Sequence, residues 1–208
     1  TVVRPFTGPQ MDGPADAAVL KPLGTEEHRR AFVLAAGVNP LLGRADPYAM
    51  AVSAVDEAVR NVVTAGGDPD TLCLLDNFCW PDPVVSAKNP DGAYKLGQLV
   101  RACEGLFDIC KAYGAPLVSG KDSMKNDFRG KDGRGVDISI SVLPTLLVTA
   151  MAKVTMGAVP GSAFCAAGDL IYLLGPKAAQ GMAGSEYAHI FRVEDDLGPA
   201  ITPQKNIA

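Results

Sequence analysis

A short polar segment, 118-VSGKDSMKND-127, carries residue types that could bind a phosphate group. Gly120 would let backbone N–H groups approach a ligand closely, and Lys121 could pair with a phosphate. Asp122 could bind Mg²⁺ or position the lysine, and Ser123 could donate a hydrogen bond to a phosphate or substrate oxygen. A polar turn that holds a lysine–aspartate pair would explain the same residues, so both interpretations stay open.

The segment is not a Walker A loop. That motif, G-x-x-x-x-G-K-[ST], is followed by a helix. Here the residue five positions before Gly120 is Ala115, and Asp122 separates Lys121 from Ser123. The residues that follow predict a polar loop and then a strand. The segment therefore indicates a phosphate contact at the end of a strand.

A second group of candidate ligands lies in 56-DEAVRN-61. Glu57 and Asn61 are four residues apart, so on a helix they share one face, roughly opposite a stripe of valines. Their oxygens are hard ligands that suit Mg²⁺ bound to the phosphates of a nucleotide, and Asp16 is a candidate for a further ligand. Small side chains nearby would leave room for such a ligand: Ala54, Ala58 and Ala65. A solvated helix face is the alternative.

Asp76 and Asn77 follow an apolar run and are predicted to lie where a strand ends. Loops at strand ends often carry function, which makes this pair a third candidate. An Asx turn that leads into the proline-rich corner 80-WPDP-83 is the alternative.

The composition excludes several classes of protein. The formal net charge is −4, and no apolar run is long enough to cross a membrane, so we expect neither a nucleic-acid surface nor a membrane segment. The five cysteines form no CxxC pair and there are only two histidines, so no zinc site is expected. The odd number of cysteines fits a reducing cytoplasm. The sequence begins without methionine, and we expect a part of a longer polypeptide.

The periodicities predict an α+β fold, a mostly antiparallel sheet with helices on one face. Two helices are predicted, over 46–67 and over 91–114. The first is capped by Asp46 and has Pro47 at its first position. The predicted strands cover 15–23, 31–37, 71–78, 116–120, 136–143, 146–154 and 169–175. Residues 121–135 are predicted to be a loop, and the two strands after it a hairpin or a bulged meander. A serine-capped turn and helix are expected over 180–191.

The second predicted helix contains apolar residues at helical spacing, and these are expected to form its buried face. They are Leu96, Leu99, Val100, Cys103, Leu106, Phe107 and Cys110.

Several motifs together resemble one family. The set is 46-DPY-48, 56-DEAVRN-61, 66-GGDP-69, 76-DNFCWP-81, 118-VSGKDSMKN-126 and 184-GSEY-187. In this order and spacing it resembles phosphoribosylformylglycinamidine synthase, whose large subunit looks like two fused copies of an aminoimidazole-ribonucleotide-synthetase-like unit. The resemblance implies that residues 1–156 are the N-terminal domain of the second copy. Residues 157–168 would be a linker and 169–208 the start of a second, α/β domain.

The resemblance also implies roles for individual residues. Asp16, Glu57 and Asn61 match positions that hold Mg²⁺ at a nucleotide site, with Ala15 next to the nucleotide. Gly120 and Ser123 match positions that contact nucleotide and substrate. Family members have a metal-binding asparagine where this chain has Lys121, which favours a phosphate contact there. Asp76 and Asp122 are further candidates for binding nucleotide or substrate. The family's catalytic histidine lies outside this chain, so no catalytic residue is expected here.

The implied activity is that of an ATP-dependent ligase in purine biosynthesis. Such an enzyme phosphorylates the amide oxygen of formylglycinamide ribonucleotide, and ammonia from a glutaminase component then displaces the phosphate. Expected partners are that substrate, ATP or ADP, the other domains of the polypeptide and a second copy of this chain. The alternatives are a nucleotide-stabilised dimerisation domain without activity, or another enzyme on this scaffold, such as aminoimidazole ribonucleotide synthetase or a selenophosphate-synthetase-like kinase.

Overall fold

A five-stranded sheet organises the protein. The computed structural model describes residues 1–8, 10–157, 159–161, 164, 166–173, 181–193 and 201. The strands are β1 (Phe6–Thr7), β2 (Gly13–Pro14), β3 (Ala18–Leu20), β4 (Arg30–Val38), β5 (Cys73–Cys79), β6 (Leu117–Ser123), β7 (Phe128–Lys131), β8 (Asp137–Ile140) and β9 (Thr145–Thr155). The main sheet has the order β3-β4-β9-β5-β6, and β5 and β6 form its one parallel pair. The predicted α+β class and mostly antiparallel sheet are confirmed.

The helices are α1 (Pro47–Thr64), α2 (Gly92–Tyr113) and α3 (Glu186–Phe191), with single 3-10 turns at Leu42–Arg44 and Pro69–Thr71. As predicted, Asp46 caps α1: its carboxylate accepts a hydrogen bond from Tyr48 N at 3.0 Å, and Pro47 follows. Asp46 also pairs with Arg101 of α2 at 2.6 Å, which joins the two helices. The predicted cap of α3 is confirmed too, because Ser185 accepts from Ala188 N at 3.0 Å.

The buried face of α2 differs from the predicted one. Leu96, Val100 and Phe107 are 47%, 52% and 64% exposed, and Cys103 is exposed as well. Of the predicted set, Leu106 and Cys110 are buried, together with residues outside it: Ala102, Gly105, Ile109 and Tyr113. The reason is that α2 packs against α1. A Cβ at position 105 would lie 2.5 Å from Tyr48 O, so the close approach of the helices requires the small residues of α2 and selects their side.

The region between residues 121 and 143 also differs from the prediction. β6 continues to Ser123 and β7 covers Phe128–Lys131, so seven of the fifteen residues of the predicted loop are strand. β8 pairs with β7 and does not form the predicted hairpin with β9, which lies between β4 and β5. The turn of the observed hairpin explains this pairing, since Asp132 accepts hydrogen bonds from Arg134 N and Val136 N.

The C-terminal part gives one further correction. Residues 169–173 of the predicted strand 169–175 form no strand, because no described strand pairs with them, and their apolar side chains are exposed. Residues 174 and 175 lie outside the described part. The domain boundaries at 156 and 168 stay predictions. In the described ranges, no helix has the length and apolar character needed to span a membrane.

Candidate functional site

The ends of three strands bring the candidate residues to one edge of the sheet. β4, β5 and β6 run in the same direction, because β9 is antiparallel to both β4 and β5 and β6 is parallel to β5. Val38 pairs with Leu147, Leu147 with Asn77 and Asn77 with Lys121, so these residues form one row. At about 4.8 Å per strand, the row is about 14 Å long.

Glu57 and Asn61 lie at the β4 end of this row. Glu57 Oε2 accepts a hydrogen bond from Val38 N at 2.8 Å, and Asn61 Nδ2 donates to Ala36 O at 3.0 Å. The two side chains therefore share a face, as predicted, and they fasten α1 to β4. Both side chains bond to backbone groups of the sheet, but Glu57 itself is exposed, so the solvated-face alternative stays open.

Two of the three small residues beside this face, Ala54 and Ala58, have a different role from the one expected. Ala54 and Ala58 are fully buried, and the backbone of β4 fills the space that they leave. A Cβ at Gly37 would lie 2.0 Å from Ala54 O and 2.7 Å from Ala58 N. The alanines and the glycine thus allow a helix and a strand to touch, and they leave no room for a ligand at that point.

The oxygen atoms of this face fit a hard cation only in part. One carboxylate oxygen of Glu57 and the amide oxygen of Asn61 are not used in the bonds to β4. Asp16 is exposed and lines a small pocket together with Thr64 and Ala65, at the C-terminal end of α1. Its neighbour Ala15 is half-buried, and Ala15 N donates to Pro5 O at 3.0 Å. Within the described residues, no cluster of three or more His, Cys, Asp or Glu side chains could hold a metal. A cation here would need oxygens from its own ligand.

Asp76 and Gly120 face each other at the other end of the sheet. Asp76 lies within β5, not at the predicted strand end, and it pairs with Gly120 of β6. A Cβ at Gly120 would lie 2.7 Å from Asp76 Oδ1. Partial burial, together with the charge of Asp122, raises the pKa of Asp76. The Asx turn expected at Asp76 occurs instead at Asp82, whose Oδ1 accepts from Val84 N at 3.0 Å.

The segment 120-GKDS-123 presents its side chains on both faces of the sheet. Because it is a strand, alternate residues point in opposite directions. Lys121 Nζ donates to Ser123 Oγ on one face, so the expected lysine–aspartate pair is wrong. Asp122 lies on the other face, where its charge acts on Asp76 and on Cys103 of α2 and helps to raise the pKa of both. Lys121 and Ser123 can therefore contact one ligand, while Asp122 and Asp76 face a different space.

A polar network behind this segment was missed at the sequence level. Its members come from separate parts of the chain: Trp80, Asp82, Asn89, Lys95 and Asp127. Asn89 and Lys95 are buried polar residues, Asn89 just before α2 and Lys95 in its first turn, and polar residue types give no sign of burial. The proline-rich corner at 80–83 was the only local signal of this network. The contacts themselves join residues up to 45 positions apart, and such contacts leave no pattern in the local sequence.

Comparison with known proteins places this geometry in a family. A family model described as AIR synthase related protein, N-terminal domain, matches residues 14–145. This chain belongs to that family. Among curated relatives, phosphoribosylformylglycinamidine synthase subunit PurL of Thermoplasma volcanium is 31% identical over 201 residues, 96% of this chain and 24% of the relative. The same subunit of a Synechococcus strain is 36% identical over 149 residues, 68% of this chain and 18% of the relative.

The predicted resemblance to phosphoribosylformylglycinamidine synthase is thus confirmed. The chain spans about a quarter of the length of the first of these relatives. Among solved structures, PurL of Thermotoga maritima in complex with AMPPCP matches with a TM-score of 0.52 and 20% identity, over 74% of this chain and 26% of that one. The complex of the same protein with ATP gives a TM-score of 0.50 and 24% identity over 68% and 21%. At these identities the matches show the fold.

Proposed function

We propose that this chain is a nucleotide- and phosphate-binding domain of a cytoplasmic phosphoribosylformylglycinamidine synthase. The whole enzyme would convert formylglycinamide ribonucleotide, ATP and glutamine-derived ammonia to formylglycinamidine ribonucleotide, ADP and phosphate. One observation carries this proposal: the Glu57–Asn61 face, on the α1 side of the sheet, and Lys121, on the opposite side, lie at the two ends of a single row at one sheet edge. The name of the curated relatives and the nucleotide complexes of the Thermotoga protein support the assignment.

The residues have separate tasks in this proposal. Asp16, Glu57 and Asn61 would hold Mg²⁺ through oxygen atoms, beside a nucleotide next to Ala15. When bound, Mg²⁺ would supply positive charge that offsets the charge of the phosphates. Lys121 would pair with a phosphate group and Ser123 would donate a hydrogen bond to it. We assign Gly120, Asp76 and Asp122 to surrounding contacts on the other face of β6, where the carboxylate of Asp76 lies over Gly120.

A thermal-shift titration of the 208-residue chain with Mg-ADP tests the metal–nucleotide site. The useful variant is Glu57→Gln, because a glutamine keeps an acceptor for Val38 N while it removes the charge. Glu104→Gln is the matched control, since Glu104 is an exposed carboxylate on α2. We expect Mg-ADP to raise the melting temperature of the wild type and the control, and to leave that of Glu57→Gln unchanged. An unshifted wild type, or an equal shift in Glu57→Gln, contradicts the assignment.

The chain by itself should show no turnover. The activity requires a catalytic base and an ammonia source, and we assign both to other parts of the enzyme and to its glutaminase component. Incubation of the chain with ATP, formylglycinamide ribonucleotide and ammonium should give no product above a blank without protein. Steady release of ADP and formylglycinamidine ribonucleotide would overturn this part of the proposal.

The sheet also supports a second role, as a nucleotide-stabilised dimerisation domain. Its face opposite α1 carries apolar side chains that are only half-buried, such as Phe32, Leu34 and Leu147. Among the described residues, edge strand β6 has unpaired backbone groups on its outer side, whereas Val19 of β3 already pairs with Val3. A second copy of the chain would cover both the apolar face and the β6 edge. Light scattering should give the mass of a dimer, and a stable monomer at micromolar concentration would count against this role.

A further inference from the structure

We propose that Asn89 and Lys95 are positioning residues that fix the geometry of Lys121 and Ser123 from behind. This inference rests on the proposed function, since it assumes that Lys121 and Ser123 contact a phosphate-bearing ligand. β6 is an edge strand with one neighbour in the sheet. The orientation of its last residues therefore depends on the contacts of the residues that follow the strand. The polar network provides these contacts.

The first layer of the network is the backbone of Trp80. Trp80 N donates to Ser123 O at 2.8 Å, and Asn126 N donates to Trp80 O at 3.1 Å. Asn126 Nδ2 also donates to Ser123 O, at 2.7 Å. Between these contacts, Lys125 has a φ of +61°, a conformation that costs a non-glycine residue free energy. The turn keeps this conformation because both of its ends are bonded to Trp80.

The second layer joins Asp82 to the residues after the turn. Asp82 N donates to Asp127 Oδ2 at 3.0 Å, and Asp82 Oδ1 lies 3.6 Å from Lys125 Nζ. The other oxygen of Asp127 accepts from Ser141 Oγ at 2.7 Å, just after β8. Asp82 thus connects the corner at 80–83 both to the turn and to the hairpin of β7 and β8.

Asn89 and Lys95 form the third layer and make no hydrogen bond or ion pair to residues 118–127 among the described contacts, although the charge of Lys95 acts on Asp127. Asn89 Nδ2 donates to Asp82 O and to Val84 O, each at 2.7 Å, and Asn89 Oδ1 accepts from Lys95 Nζ at 2.6 Å. Lys95 also pairs with Asp91 at 3.0 Å, and its carbonyl accepts from Trp80 Nε1 at 2.9 Å. The two residues thereby hold Trp80 and Asp82 in place.

Burying these polar groups costs free energy unless each of them has its hydrogen-bond or ion-pair partner. Asp82, Asn89 and Lys95 are 8%, 7% and 9% exposed, and a buried ammonium is unfavourable without its partners. An apolar side chain would fill the same space without that requirement. What the polar groups add is direction, because each bond fixes an angle as well as a distance. Together, the bonds of the network fix the positions of Ser123, Lys125 and Asp127.

The test measures ligand affinity of the 208-residue chain by calorimetry, with Mg-ATP and with formylglycinamide ribonucleotide as separate probes. Lys121→Met identifies the probe that this segment binds. Lys95→Met removes the ammonium and keeps the apolar stem, and Asn89→Ala removes the central amide. We expect each variant to bind that same probe about 10-fold to 100-fold more weakly, as the loss of outer partners that orient a binding group typically does. Tyr113→Phe is the control, because it also removes a buried hydrogen bond, to Asp56, at the opposite end of α2 from Lys95.

A double variant separates positioning from a general loss of stability. If Lys95 acts through Lys121, Lys95→Met should cause no further loss of affinity in the Lys121→Met background. Amide hydrogen exchange at Lys125 and Asn126 should accelerate in Lys95→Met and stay at the wild-type rate in Tyr113→Phe. If Lys95→Met does not fold, Asp127→Asn carries the same test with a side chain of the same shape.

The outcomes distinguish this inference from the proposed function. If Lys121→Met weakens neither probe, the phosphate contact itself is wrong, and the inference falls with it. If Lys121→Met weakens one probe while the folded Lys95→Met and Asn89→Ala, or Asp127→Asn in their place, bind it like Tyr113→Phe, only the inference is overturned. Additive losses in the double variant overturn it as well.

Discussion

Gly120 lies across from Asp76 in the parallel pair of β5 and β6, and a Cβ at position 120 would lie 2.7 Å from Asp76 Oδ1 and 3.0 Å from Asp76 Oδ2. Because position 120 has no side chain, the carboxylate of Asp76 can lie above the backbone of β6. The φ angle of Gly120 is not in the left-handed region, so space and not conformation requires a glycine here.

Gly120→Ala should destabilise the protein by about 1 to 3 kcal/mol, as added methyl groups do at crowded positions. Since the clash is with one side chain, most of this loss should be recovered in the double variant Asp76→Ala, Gly120→Ala. Urea denaturation of the four members of the cycle measures the coupling free energy. Equal effects of Gly120→Ala in the two backgrounds would contradict this account.

Gly37→Ala should be more damaging, because the atoms that its Cβ would meet belong to the backbone of α1. Ala54 O at 2.0 Å and Ala58 N at 2.7 Å cannot move without shifting the helix. We expect a loss of about 3 kcal/mol in the free energy of unfolding. We also expect weaker Mg-ADP binding, since Glu57 and Asn61 depend on the contact between α1 and β4.

Gly97→Ala provides the matched control for that prediction. Gly97 lies within α2 and has no atom within 4 Å of its Cβ position. Alanine there should stabilise the protein by about 0.5 to 1 kcal/mol, because glycine is unfavourable in a helix interior. A destabilising Gly97→Ala, measured in the same urea experiment, would show that the described surface of α2 is covered in solution.

The raised pKa of Asp76 predicts a specific pH dependence. Partial burial and the nearby charge of Asp122 make the folded state bind the proton of Asp76 more tightly than the unfolded chain does. The ionised group thus reduces stability at pH values above its raised pKa, and this cost disappears as the pH falls below an ordinary aspartate pKa of about 3.9. Asp76→Asn should therefore be more stable than wild type at pH 7.

The measurement compares urea midpoints of wild type and Asp76→Asn at pH 7 and at the lowest pH where both remain folded. The stability advantage of the asparagine should shrink at the lower pH, where the aspartate is protonated. An Asp76→Asn variant that is less stable than wild type at pH 7 would contradict the assignment of burial as the main cause.

The sequence was sufficient where structure is decided locally. Asp46 followed by Pro47 correctly predicted the start of α1, and Ser185 correctly predicted the cap of α3. The shared face of Glu57 and Asn61 also followed from helical spacing. Their hydrogen bonds to Val38 N and Ala36 O did not, because these join residues that are 19 and 25 positions apart.

The errors have a common cause, which is competition between two possible partners. β9 is apolar enough to pair with β8, yet it lies between β4 and β5, and the turn at Asp132 gives β8 a nearer partner. Residues 121–123 are polar and were predicted to be loop, although their pairing with β5 makes them strand. Because of this pairing alone, the side chains of Asp122 and Lys121 lie on opposite faces of the sheet.

The helix α2 offers the sharpest test of the fold, because neighbouring residues of similar character lie in opposite environments. Leu106 is 5% exposed and Phe107 is 64% exposed, although the sequence assigned both to the buried face. Leu106→Ala should cost about 2 to 5 kcal/mol, the range for leucines deleted from a core. Phe107→Ala should change the free energy of unfolding by less than about 0.5 kcal/mol, as surface substitutions usually do. Urea denaturation of both variants decides between the two packings, and a larger loss from Phe107→Ala than from Leu106→Ala would mean that the predicted face, and not the one against α1, is buried.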